Sequence, residues 1–106
     1  MNILNALKSK VQYPLSDDTF NSILIDRELS GVDEYSKEIA NSTLFKGALA
    51  DSYMQVIICA NVSEGGVSIT LTESKEKQLL SMANVLYSAI GEKQQGNIPI
   101  VTIEPF

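Results

Sequence analysis

Histidine and tryptophan are absent from this chain, cysteine occurs once, and basic residues are few, eight against thirteen acidic ones for a net charge of −5. Each shortage removes a class of chemistry. Serine–histidine and cysteine–histidine nucleophile systems need an imidazole, and the common zinc sites need histidine or clustered cysteine. The lone cysteine, Cys59 in the run VIICA, allows no internal disulfide and reads as a small buried apolar side chain. No apolar run approaches the roughly 20 residues needed to cross a bilayer, and the N-terminus lacks a basic stretch followed by an apolar one. No membrane partner is therefore expected, and the protein is expected to be made and kept in the cytosol. Without a secretory leader, the sequons Asn41-Ser42-Thr43 and Asn61-Val62-Ser63 are chance matches. The acidic balance disfavours attraction to phosphate backbones, so specific nucleic-acid binding is not expected.

What is present suits one folded domain: 106 residues, 44% of them hydrophobic and 20% charged, enough to bury a single core. Ile3, Leu4, Leu7 and Val11 recur at spacings of three and four, predicting a short helix over 2–11 that Tyr13-Pro14 ends. Ser16 is a good N-cap for a second helix, with Asp17 and Asp18 in its first turn, Phe20, Ile23, Leu24 and Leu29 on its inward stripe, and Gly31 at its end. VDEYSKEIANS, 32–42, has weak periodicity and reads as a short helix or an ordered turn. From Thr43, Phe45, Leu49, Tyr53, Val56, Ile57 and Ala60 share a face that Leu44, Ala48 and Ile58 widen, the mark of a central helix; the run MQVIICANV also admits a strand. A last helix is expected over 73–90, with Thr72 as N-cap, Leu79, Met82, Ala83, Leu86 and Ile90 inward, and Gly91 as its stop.

The stretch NVSEGGVSITLTESKEKQ, 61–78, breaks this helical pattern. Val67, Ile69 and Leu71 alternate with Ser68, Thr70 and Thr72 as in a β-strand, after a Gly65-Gly66 pair suited to a tight turn. A phosphate-binding loop would run Gly-Lys-Ser or Gly-Lys-Thr directly into a helix, and here an alternating segment intervenes. The stretch is expected to be architecture. The candidate carboxylate pairs Asp17-Asp18, Asp33-Glu34 and Glu73 with Glu76 all sit at helix starts or turns, where acids are favoured on electrostatic grounds. No catalytic residue, metal ligand, cofactor-binding residue or small-molecule substrate is therefore expected.

After Gly91 the character changes again. Glu92 to Asn97 is polar, and Ile98, Ile100, Val101, Ile103 and Phe106 then form an apolar tail interrupted by Pro99 and Pro105, excluded from the centre of a sheet. An alternating segment with no lysine or proline between 66 and 72 is a template for another strand. Either the tail covers that edge or a partner does, and a head-to-tail contact between copies closes into a ring when the rotation suits.

The order of LNALK, PLSDDTF, LSGVDEYSKE, ALADSYMQVIICA and NVSEGGVSITLTESKEKQLLSMANVLYSAIGE resembles the small head–tail connector (adaptor) proteins of tailed bacteriophages and prophages over residues 1 to about 92. The resemblance implies a helical protein that forms a ring beneath the portal, with an extended inter-helix loop, here Glu64 to Thr72, and terminal arms reaching neighbours. This chain departs from it in the weak helicity of 32–42 and in its apolar tail. The expected fold is mainly α: a small bundle of about four helices, an extended β-like segment over about 61–72 between the two longest, and an extended C-terminal tail. A helical domain over 1–92 is expected to precede a linker and arm over 93–106. Val67, Ile69, Leu71, Ile98, Ile100, Ile103 and Phe106 are the expected interface residues. The expected function is structural, in a homo-oligomeric ring contacting portal and tail components, in the virion and, during assembly, the host cytoplasm. A small acidic module that binds or inhibits a host protein is the alternative, suggested by the net charge.

Overall fold

Helix starts in this chain are set by short polar side chains that take up otherwise unpaired backbone N–H groups. In the computed structural model, which describes residues 1–62 and 70–94, Asn2 accepts from the Asn5 N–H at 2.8 Å and opens α1 (Ile3–Val11). Ser16 accepts from the Thr19 N–H at 3.1 Å and opens α2 (Asp17–Asp26). Ser36 caps the single turn α3 (Lys37–Ala40), and Ser42 accepts from the Phe45 N–H in the first turn of α4 (Thr43–Val62). Thr72 accepts from the Lys75 N–H and opens α5 (Glu73–Ala89). The molecule is mainly helical.

Two helices end differently from their sequence patterns. The second stops at Asp26 rather than near Gly31, because Glu28 turns into the left-handed region at φ 64°. The Leu29 N–H then reaches back to the Leu24 carbonyl and the Glu28 N–H to the Ile25 carbonyl, a Schellman terminator built without glycine. Gly31 serves packing instead: a Cβ there would lie 2.6 Å from Asn21 Oδ1 and 3.1 Å from Leu4 Cβ. That close approach brings the 31–35 strip onto the start of α1. The Leu4 and Ile3 N–H groups donate to the carbonyls of Gly31 and Asp33, and Asn2 bridges Glu34 in antiparallel fashion. Helix α4 in turn runs through Val62, past the expected start of the extended segment, since nothing in Ala60-Asn61-Val62 breaks a helix.

The strand alternative for MQVIICANV is overturned, because these residues lie within α4, which packs against every other helix. Phe45, Ala48, Ala50, Tyr53, Met54, Val56 and Ile57 are buried around most of its circumference, as expected of a central helix. The one buried polar side chain among the described residues, Ser52, donates to the Ala48 carbonyl one turn back. Ile3, Leu7 and Val11 of α1, Phe20 and Leu24 of α2, and Leu79, Ala83 and Tyr87 of α5 complete one continuous core. Tyr35 packs its ring on Phe45 with centroids 5.2 Å apart. Met82, expected inside, is 38% exposed, and Tyr87 takes the inward position instead. No helix among the described residues is long and apolar enough to cross a membrane.

Candidate functional site

The densest polar constellation gathers where α2 and α5 end against the middle of α4. Arg27, the chain's single arginine, is the residue after the last turn of α2. Its Nε and Nη2 donate to the two carboxylate oxygens of Asp51 at 2.7 and 3.0 Å, a side-on pairing. Its Nη1 and Nη2 donate to Glu92 at 2.5 and 3.0 Å. The Tyr87 hydroxyl donates to Asp51 Oδ1 at 2.7 Å. Glu92 arrives there because α5 closes with its own Schellman turn: Gly91 takes φ 81°, its N–H donates to the Ser88 carbonyl, and the Glu92 N–H donates to that of Tyr87. Two helix terminators thus deliver the two ends of one ion pair.

Gly47 makes the approach possible. A Cβ at this position of α4 would stand 2.6 Å from both Cζ and Nη1 of Arg27, so the guanidinium lies flat on the bare helix backbone. The site is partly open to water, with Arg27 19%, Asp51 30% and Glu92 43% exposed at the side chain. The carboxylates of Asp51 and then Glu92 raise the already high pKa of Arg27 further. Glu92 is held below the usual carboxylate range, chiefly by its hydrogen bonds from Arg27. Burial, and then the bond to Asp51, push the Tyr87 phenol well above its ordinary value. Arg27 engages all three of its nitrogens, and the phenol stays protonated. The arrangement is a clamp joining three elements, with its donors already committed to its own carboxylates.

This clamp lies inside a span that one family model matches almost from end to end: residues 1–104 match a family of unknown function, DUF6706. The chain belongs to that family. No curated protein and no solved structure matches it. The matched span continues past residue 92 and takes in nearly all of the apolar tail.

Of the residues expected from sequence to form an interface, Leu71 lies within the described residues, half-buried and packed against the core just ahead of the α5 cap. Val67, Ile69, Ile98, Ile100, Ile103 and Phe106, with the turn residues Gly65 and Gly66, lie outside them. Two of the candidate carboxylates pair with lysines. Asp17 pairs with Lys8 at 2.8 Å, tying the end of α1 to the start of α2, and Glu73 pairs within its helix with Lys77 at 3.8 Å. Among the described residues, no three histidine, cysteine, aspartate or glutamate side chains converge to hold a metal. Cys59 is half-buried rather than buried, within 3.7 Å of the Gln55 amide.

Depressions mark the surface of the described residues. A small cleft of about 260 Å³ lies between the end of α1, α4 and α5, with Lys10, Lys75, Tyr13 and Tyr53 on its walls; burial raises the Tyr53 pKa. A larger open groove runs along the outer face of α5. Sequence reading passed over the clamp entirely. One signal pointed to it: Asp51 is the one acidic residue of a largely apolar helix, and a carboxylate there needs a cationic partner, for which the single arginine is the natural candidate.

Proposed function

We propose that this protein is a structural, non-enzymatic assembly protein: a head–tail connector (adaptor) of a tailed bacteriophage or prophage that forms a ring between portal and tail. The observation that carries this reading is the packing of the two longest helices, α4 and α5, against each other, with the EGGVSITLT stretch joining them in sequence. It is the same order of elements on which the connector resemblance rests. Exposed apolar side chains at Ile25, Val32 and Val85 supply further surface for contacts between subunits. A net charge of −5 suits a channel through which DNA slides without adhering. In this reading Val67 and Ile69 of the joining segment, with the apolar residues of the C-terminal arm, contact neighbours, while Leu71 anchors the segment to its own subunit. The protein needs no cofactor, and it works in the virion after assembly in the host cytoplasm.

Light scattering and chemical cross-linking across a wide concentration range, with and without a phage portal protein, test the reading. A multi-copy complex is the expected result, and persistent monomer in both settings would overturn it. The same net charge favours a second reading, in which the protein occupies a basic site on a host protein; salt-sensitive capture at one-to-one stoichiometry would replace the connector with that module.

A further inference from the structure

Tyr53 of α4 is only 6% exposed, yet its hydroxyl has no hydrogen-bond partner among the described residues. The other buried hydroxyls are committed, Ser52 to the Ala48 carbonyl and Tyr87 to Asp51, as buried hydroxyls usually are. Every side-chain oxygen sealed inside the described fold does have a partner, so the Tyr53 hydroxyl is not sealed. It opens into the cleft of about 260 Å³ whose wall Tyr53 helps to form. Burial raises its pKa, which keeps the phenol protonated and a donor at neutral pH.

The same cleft is cationic in an otherwise acidic protein. Lys10, in the last turn of α1, and Lys75, in the first turn of α5, stand on its walls, and no carboxylate does among the described residues. Neither lysine is in an ion pair there, the lysine pairs of the described residues being those of Lys8 and Lys77. Flexible four-carbon stems let both ammonium groups reach over the phenol. Two like charges at one cleft repel, and an anion between them turns that repulsion into attraction. We propose that this cleft binds a small dianion, a phosphate monoester or a dicarboxylate, with the Tyr53 hydroxyl donating to one oxygen and the Lys10 and Lys75 ammonium groups closing on the others. Hydrogen bonds to an ionised acceptor are about twice as strong as neutral ones, so the single phenol is a substantial contact. Tyr13, half-buried, and Leu79 offer an apolar wall to the carbon part of the ligand. The volume lies below the roughly 300 Å³ at which pockets for drug-sized ligands begin, which restricts the ligand to a few heavy atoms beyond its charged groups. A net charge of −5 repels long polyanions while leaving this local pair of cations to a small one.

This goes beyond the connector reading, since it concerns a ligand of one subunit. The test titrates the full isotope-labelled chain with sodium phosphate and, separately, sodium succinate at slightly alkaline pH, with sodium chloride as the control, and follows backbone amide shifts by NMR. Expected are saturable shifts centred on Lys10, Tyr53 and Lys75, with a Kd of about 1 mM for at least one of the two dianions and no saturation with chloride. Saturation by phosphate alone, or by succinate alone, upholds the proposal and identifies the ligand's chemistry. Shifts that stay linear with both, or that saturate elsewhere on the molecule, would overturn it. Tyr53→Phe removes only a hydroxyl that has no acceptor among the described residues, so the variant should fold as the parent does and bind about tenfold more weakly. Unchanged affinity would sink the proposal. Lys10→Gln combined with Lys75→Gln alters exposed side chains and should abolish saturation, which keeps the proposal testable if Tyr53→Phe fails to fold; binding that survives the double change would also refute it. Saturable binding in a protein that never assembles would uphold the dianion site while the connector reading fails.

Discussion

A glycine inside an exposed helix costs about 1 kcal/mol relative to alanine, so Gly47→Ala would ordinarily stabilise α4. Here the added methyl meets a guanidinium at 2.6 Å that is bonded to two carboxylates and cannot swing away without releasing them. Gly47→Ala should therefore destabilise the protein by about 1–2 kcal/mol. In an Arg27→Ala background the collision is gone, and the same substitution should stabilise by about 0.5–1 kcal/mol. That reversal of sign, read by urea denaturation of the four proteins in the cycle, is what a clamp over Gly47 demands; additive effects would refute it. Glu92 gives the clamp a pH signature. Its folded pKa is depressed, so its contribution is fully present above the unfolded glutamate value of about 4.3 and is lost as pH falls through the folded value. The melting temperature of Glu92→Gln should lie below that of the parent at neutral pH, and the gap should close as pH drops below the ordinary carboxylate range.

The elements explain which parts of the fold were legible in the sequence. Caps were readable because Ser16 and Thr72 are short oxygen-bearing residues placed just before apolar periodicity, and both accept the expected N–H. Gly91 was readable because glycine is the usual residue for a left-handed C-terminal turn. The end of α2 was not, since Glu28 adopts the same conformation without glycine's freedom and is held there by the Leu29 to Leu24 bond. Met82 and Tyr87 exchanged roles for a similar reason: helical spacing alone allows either face, and a phenol that can donate to Asp51 is the better residue to turn inward. Beyond the isolated carboxylate of Asp51, the clamp was illegible because its members lie up to 65 positions apart in sequence and meet only through the packing of α2, α4 and α5. Glu28 yields a direct test. A non-glycine residue in the left-handed region costs about 1–2 kcal/mol, so Glu28→Gly should stabilise the protein by about 1 kcal/mol after allowing for glycine's greater freedom in the unfolded chain. Thermal denaturation would register this as a rise in Tm, and an unchanged or lower Tm would mean that the Glu28 side chain contributes a contact of its own.

At the scale of the whole molecule, one core spans α1, α2, α4 and α5, and the segment between α4 and α5 meets it at Leu71 while its alternating part is proposed to meet a neighbour. These two duties separate by mutation. Leu71 is half-buried against the core, so Leu71→Ala should lower stability by about 1–2 kcal/mol through lost apolar burial and should weaken assembly only as far as it weakens the fold. Ile69→Lys places a charge on the alternating segment, and inward or inter-chain charges block edge pairing. If that segment works by contacting another subunit, Ile69→Lys should leave the unfolding midpoint of the isolated protein within about 0.5 kcal/mol of the parent while abolishing the multi-copy complex seen by cross-linking with the portal. Equal losses of stability in the two variants would mean that Ile69 is committed to the same core as Leu71, and the contact with neighbours would then have to be made elsewhere, with the exposed Ile25 and Val32 the next surfaces to charge.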